Sequence, residues 1–242
     1  MKLNRFYVPY TDDKRMIYAR EYLENKGFIS VDNYDNADFI LLPVPVKKYM
    51  LEQVGDKPVF YGMGEHKNGF DYMKNENYVL KNAILTAEGA VSYIEENTDY
   101  SLFGSKILII GYGRIGKAIH RILKAYGADI TVCSRSCDSK ALAEFNGARH
   151  IFFDELSKRN NADIIINTVP HPVLTKKELS AVKSDTLILD LASFPGGVDT
   201  LIAKSLGLKL LNGKAMPSKY TQKTAGYIIG EAVINIIEEE FA

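Results

Sequence analysis

Lys106 to Ser136 reads KILIIGYGRIGKAIHRILKAYGADITVCSRS, and this stretch decides the fold. After Lys106 the run to Ile110 is wholly apolar with β-branched weight, which suits a strand buried on both faces of a parallel sheet. Gly111, Gly113 and Gly116 follow as G-x-G-x-x-G. They lead into a segment whose apolar residues Ile115, Ile119, Ile122, Leu123 and Tyr126 recur at helical spacing, and Gly127 stops that helix. Asp129 to Cys133 is a second strand, so the glycines lie in a strand, turn, helix, strand context.

That context points to phosphate binding. Gly111 permits a tight turn, Gly113 lets the backbone approach a pyrophosphate, and Gly116 lets helix pack closely on strand. Arg114 and Ile115 open the helix, whose N-terminus supplies unpaired N–H groups and a positive dipole end. A fold of this type that packs without binding is the plain alternative. The second strand ends in Cys133-Ser134-Arg135-Ser136, with no carboxylate before Asp138. An NAD site places Asp or Glu there for the ribose 2′-OH, whereas Arg suits the 2′-phosphate of NADP. NADP is therefore the expected cofactor, held by Ser134, Arg135 and Ser136; otherwise this is a solvated loop.

The chain has 242 residues, 46% of them hydrophobic, enough for one large or two modest domains with real cores. Thirty basic and thirty acidic residues balance, so no net field draws it to nucleic acid or an anionic membrane. The N-terminus lacks an apolar leader, and no run reaches membrane-spanning length, so a cytoplasmic protein is expected. Cys133 and Cys137 have neither redox-pair nor zinc-knuckle spacing, and no metal is expected.

The predicted class is α/β, with two domains. A small Rossmann-like or flavodoxin-like domain with a bridging helix spans 1–98, a doubly wound parallel Rossmann domain spans 99–220, and a helix over 221–242 packs back. In the first, strands are predicted at Arg5–Tyr10, Ala37–Val46 and Pro58–Met63, with helices at Asp12–Lys26 and Lys47–Val54. Asp71 to Asn97 is predicted helical with a break near Asn82 to Leu85, so that Thr86 and Glu88 open a new helix. Glu88 there serves either the helix dipole or a ligand. His66, after the third strand, reads as a substrate contact or as a solvated loop histidine, and His120 as solvated.

Further along, Asp163–Asn167 is an apolar strand whose end, Asn167, Thr168 and Pro170, would wall the cofactor. His171, between two prolines, serves proton transfer or merely the turn. Leu187–Ala192 is the next strand, and Gly196 and Gly197 after it would expose backbone amides as an anion nest. Lys223, Thr224 and Gly226 open the last helix, where Gly226 and Gly230 permit close packing.

Five stretches resemble the dipicolinate synthase A-chain family: Leu80 to Ala90 (LKNAILTAEGA), Gly111 to Gly116, Ile166 to Pro170, Asp190 to Ser193 with Pro195 to Gly197, and Lys223 to Gly226. The resemblance runs from about residue 70 to the end, and T-A-E-G-A and L-A-S-x-P-G-G are far more specific than the glycine triplet. It implies oxidation of a dihydro- or hydroxytetrahydrodipicolinate precursor to dipicolinate by NADP⁺, in the mother cell of a sporulating bacterium. It also implies a hetero-oligomer whose partner is the flavoprotein-like B chain of dipicolinate synthase; a homo-oligomer of the chain itself stays open. Thr86, Glu88, Gly196, Gly197, Lys223 and Thr224 would meet the dicarboxylate, with His66, Lys81 and Arg114 as further cations, and His66, Glu88, His171 and Lys223 are the catalytic candidates. The chain departs from the family in its short N-terminal region and in Ala215 to Gln222, where the family has a Gly- and Pro-rich loop.

Two other readings remain. A 2-hydroxyacid or amino-acid dehydrogenase shares the layout but needs a positioned acid/base, usually histidine with a carboxylate, and no histidine has such a partner in sequence. A non-catalytic nucleotide-binding scaffold would need only the glycine turn.

Overall fold

The protein is described by a computed structural model over residues 3–158 and 161–241. The ends of the expected domain ranges at 1, 2 and 242, and residues 159 and 160, lie outside the described residues. Two compact units emerge, one comprising 1–85 with 217–242 and the other 86–216.

In chain order the first unit holds β1 (Arg5–Tyr7), α1 (Arg15–Asn25), β2 (Ile29–Ser30), β3 (Phe39–Leu41), α2 (Lys48–Glu52), β4 (Val59–Tyr61) and β5 (Gly69–Asp71), followed by α3 (Glu76–Glu95), which continues into the second unit. The second holds β6 (Lys106–Ile110), α4 (Arg114–Ala125), β7 (Asp129–Cys133), α5 (Cys137–Phe145), β8 (Arg149–Ile151), β9 (Ile164–Asn167), α6 (Lys176–Leu179), β10 (Leu187–Asp190), α7 (Thr200–Ser205) and β11 (Lys209–Asn212). A short α8 (Met216–Tyr220) leads to α9 (Gln222–Phe241), which returns to the first unit.

The first unit is a parallel sheet of order β2-β1-β3-β4-β5. Phe6, Phe39, Phe60 and Tyr72 are fully buried with Leu23, Ile229 and Val233 on one face, and Ile40, Leu42, Val59 and Tyr61 fill the other. α9 lies against α1 because its glycines leave room: a Cβ on Gly226 would overlap the Arg15 carbonyl oxygen, and one on Gly230 would sit 2.8 Å from the Tyr22 ring. At the start of α1, buried Arg15 pairs with Asp13 at 2.7 Å, so the charge taken from water keeps a partner.

The second unit is a six-stranded parallel sheet of order β11-β10-β9-β6-β7-β8. From β6 the chain steps outward through β7 and β8, then returns to β9 on the other side of β6. This is the doubly wound dinucleotide-binding order, and the strand order reverses between β6 and β9. Ile109, Ile164, Ile165, Ile166, Ile188 and Leu189 have no exposed surface, which explains why these strands read as continuous apolar runs.

Several elements differ from the sequence expectation. α3 is one unbroken helix, since Ala83, Leu85, Thr86 and Ala87 are all buried along it, so Thr86 and Glu88 lie mid-helix and no helix N-terminus exists there. Between β8 and β9 a 3-10 turn forms at Phe153–Glu155. β2, β5, α6, α7 and α8 were not expected. The unit limits, set inside α3 and α8, differ from the expected 98/99 and 220/221.

Candidate functional site

The second unit's site is built at the strand-order reversal. Gly111 has φ +92°, and a Cβ there would overlap the Thr168 hydroxyl and lie 2.8 Å from Val169 Cγ2. A Cβ on Gly116 would overlap the Gly111 carbonyl oxygen, which brings α4 down on the turn. Around Gly113, the residue before α4, a Cβ would meet nothing within 4 Å. Two glycines are thus filled by the protein itself, while the third leaves open space at the helix N-terminus. Exposed Arg114 and half-buried Ile115 begin that helix. The donor set, backbone N–H groups at a helix start beside an open glycine, fits an anionic pyrophosphate.

The loop after β9 is fastened to this turn. Thr168 donates through both its N–H and its hydroxyl to the Ile110 carbonyl, each at 2.9 Å. Asn167, fully buried, brackets Val169: its Nδ2 donates to the Val169 carbonyl at 3.1 Å and its Oδ1 accepts from the Val169 N–H at 3.1 Å. Asn167 Nδ2 also donates to Asp190 Oδ1 at 2.8 Å. Pro170 and His171 are exposed beyond this bracket, with His171 Nδ1 3.4 Å from the Pro172 carbonyl.

Asp190, at the end of β10, is the hub that sequence reading gave no role. It accepts from the Ala192 N–H and the Gly197 N–H at 3.2 Å each, besides Asn167. Gly196 N–H in turn donates to the Ser193 carbonyl at 2.8 Å. The expected anion nest therefore does not form: both glycine amides are spent inside the loop. A Cβ on Gly197 would overlap Asn167 Nδ2 and the Val169 carbonyl, so this glycine serves packing.

At the end of β7 the three expected contacts separate. Ser134 is buried, and its hydroxyl lies 2.9 Å from His150 Nε2. Ser136 caps α5, accepting from the Ser139 N–H at 3.1 Å. Arg135 is exposed between them. Burial pushes the Cys133 thiol up to about 12, so it stays protonated.

Behind the turn, Tyr112 is buried with its hydroxyl 2.6 Å from His120 Nδ1 and 3.4 Å from Asn146 Nδ2. The other ring nitrogen of His120, Nε2, is buried and has no hydrogen-bond partner among the described residues. His120 is therefore not solvated; burial, then Lys124, lowers its pKa.

In the first unit, Lys81 is not free to hold a carboxylate, since both Glu231 oxygens lie 2.6 Å from its Nζ. Lys223 is exposed and raised in pKa by its hydrogen bond to Tyr227, whose hydroxyl donates to Glu21 at 2.6 Å. Thr224 is exposed, and Glu88, on the second unit's part of α3, is exposed too. His66 is half-buried; its Nδ1 accepts from the Asn68 N–H at 3.3 Å. Among the described residues no group of His, Cys, Asp and Glu is arranged to hold a metal ion, and no helix is long and apolar enough to cross a membrane.

Sheet order and glycine turn together define a protein with a nicotinamide-dinucleotide-binding domain, and residues 79–193 match the family described as D-isomer specific 2-hydroxyacid dehydrogenase, NAD binding domain. The dipicolinate synthase A chain of Bacillus subtilis is 35% identical over 167 residues, 69% of this chain and 56% of that protein. The chain thus spans little over half the length of this relative in the sequence match. The crystal structure of the Bacillus subtilis A chain aligns with TM-score 0.86 and 27% identity over 99% of this chain and 97% of the other. That of the Bacillus halodurans protein aligns with TM-score 0.86 and 23% identity over 97% of each. The chain is a homologue of the dipicolinate synthase A chain.

Proposed function

We propose that this chain binds NADP⁺ and oxidises a dihydro- or hydroxytetrahydrodipicolinate precursor to dipicolinate, as the names of its relatives and the site favour. The observation that carries the cofactor choice is Arg135, exposed at the end of β7 with no carboxylate in the loop before Asp138. Its guanidinium can grip a 2′-phosphate through two parallel hydrogen bonds. Bound NADP⁺ would accept the hydride while a proton is released, and the hydroxytetrahydro precursor would in addition lose its hydroxyl as water. The chain's own residues do the rest: the Gly113 turn holds the pyrophosphate, and Thr168 and Asn167 fix the loop walling the nicotinamide end. Exposed cations are left to hold the substrate's carboxylates. Aromatisation of the product ring favours the reaction, so positioning is the main demand on the protein.

A flavoprotein-like partner chain and action inside a sporulating cell belong to the same proposal. The test is direct: purified chain, alone and with that partner, receives the precursor and NADP⁺, and NADPH absorbance rises. Binding of NADP⁺ without turnover in either case would favour a scaffold role.

The family match over 79–193 favours a second reading, a 2-hydroxyacid dehydrogenase. Against it stand the histidines: His66 bonds a backbone N–H, His120 bonds Tyr112, His150 bonds Ser134, and His171 lies by a backbone carbonyl, none of them hydrogen-bonded to a carboxylate. Absorbance with NAD⁺ and a 2-hydroxy acid alone would support that reading instead.

A further inference from the structure

Phe194 is 87% exposed on the loop after β10, at the edge where sheets of this order bind ligands. Its loop is braced from three sides. Asp190 accepts the Ala192 and Gly197 N–H groups, and the Gly196 N–H closes a turn on the Ser193 carbonyl. The Gly197 carbonyl accepts from the N–H groups of Val173 and Leu174 at 3.0 Å, and Leu174 pairs with Val198. Through Asn167 and Thr168 the same bracing reaches the Gly111 turn. A large apolar ring is thus displayed to water on a loop fixed to the coenzyme turn, outside every apolar cluster of the described residues.

We propose that Phe194 is a specificity-determining residue whose ring stacks on the planar ring that forms as the substrate aromatises to product. This rests on the proposed reaction, which supplies a planar dicarboxylate ring besides the coenzyme's own rings. Aromatic faces attract each other beyond area burial in offset or edge arrangements, whereas a saturated dicarboxylate gains little from such a face. Selectivity for a ring over a flexible diacid of similar charge is what this placement provides.

Titration of the full chain with pyridine-2,6-dicarboxylate and with glutarate, in the presence of NADP⁺, tests it. Phe194→Ala should weaken the pyridine ligand by about 5- to 20-fold and leave glutarate and NADP⁺ affinity and the melting temperature unchanged. Phe194→Tyr should restore ring binding and Phe194→Leu should not. Equal loss for both diacids, a leucine variant as good as wild type, no ring binding by the wild type, or a parallel loss of NADP⁺ affinity would overturn the proposal. If the wild type bound the ring through Phe194 but no NADP⁺, the coenzyme reading would fall and this inference would stand.

Discussion

The carbonyl oxygen of Gly111 occupies the position that a Cβ on Gly116 would take, while a Cβ on Gly113, between them in sequence, would meet nothing. One motif therefore contains two glycines required by the fold and one left for a ligand, and the two roles separate by mutation. Gly113→Ala should leave thermal stability unchanged, since its φ of −78° suits any residue, yet weaken coenzyme binding about tenfold or more. Gly116→Ala should lower stability by about 2 kcal/mol or more, since backbone atoms must move. Calorimetry with and without coenzyme reads both effects.

Asp190 gathers three donors, Asn167 Nδ2 and the N–H groups of Ala192 and Gly197. Asp190→Ala leaves them without their acceptor and should cost about 1–3 kcal/mol in urea unfolding. Coenzyme affinity should fall as well, because the same bracket fixes the Val169 loop.

Burial lowers the folded-state pKa of His120, and also that of His150. Between those folded values and the unfolded value of about 6.5 the unfolded chain binds more protons, so stability rises with pH there and is lost as pH falls. Melting temperature should decline on acidification from about pH 7 toward 5, and His120→Gln should flatten the decline without abolishing it, His150 supplying the remainder. A slope unchanged in that variant would contradict the buried, proton-poor state of His120. The facing groups are Lys124 for His120, and Lys140, Glu144 and Glu155 for His150.

The second unit's fold was legible because its determinants are local: an apolar strand, a glycine triplet and a helical stripe succeed each other within Lys106 to Cys133. Glycine roles followed from geometry any such turn imposes. Edge strands such as β2, two residues long, and β5, three, carry no periodicity to read. The break expected near Asn82 does not occur, because Ala83, Leu85 and Ala87 are buried along one continuous helix. Gly196 and Gly197 look like free amides in sequence, because the acceptors that consume them, Ser193 and Asp190, are recognisable only once the loop has closed. Similarly, His120 lies on an otherwise amphipathic helix, and only the fold brings to it the hydroxyl of Tyr112, which Asn146 meets from the other side.

The proposed preference for NADP⁺ rests on Arg135. Titration of wild type and Arg135→Glu with NADP⁺ and NAD⁺ tests it most directly. Wild type should bind NADP⁺ more tightly than NAD⁺, and the variant should lose NADP⁺ affinity by about tenfold or more while keeping or gaining NAD⁺ affinity. Equal affinity of the wild type for both coenzymes, or NADP⁺ binding indifferent to the glutamate, would contradict it.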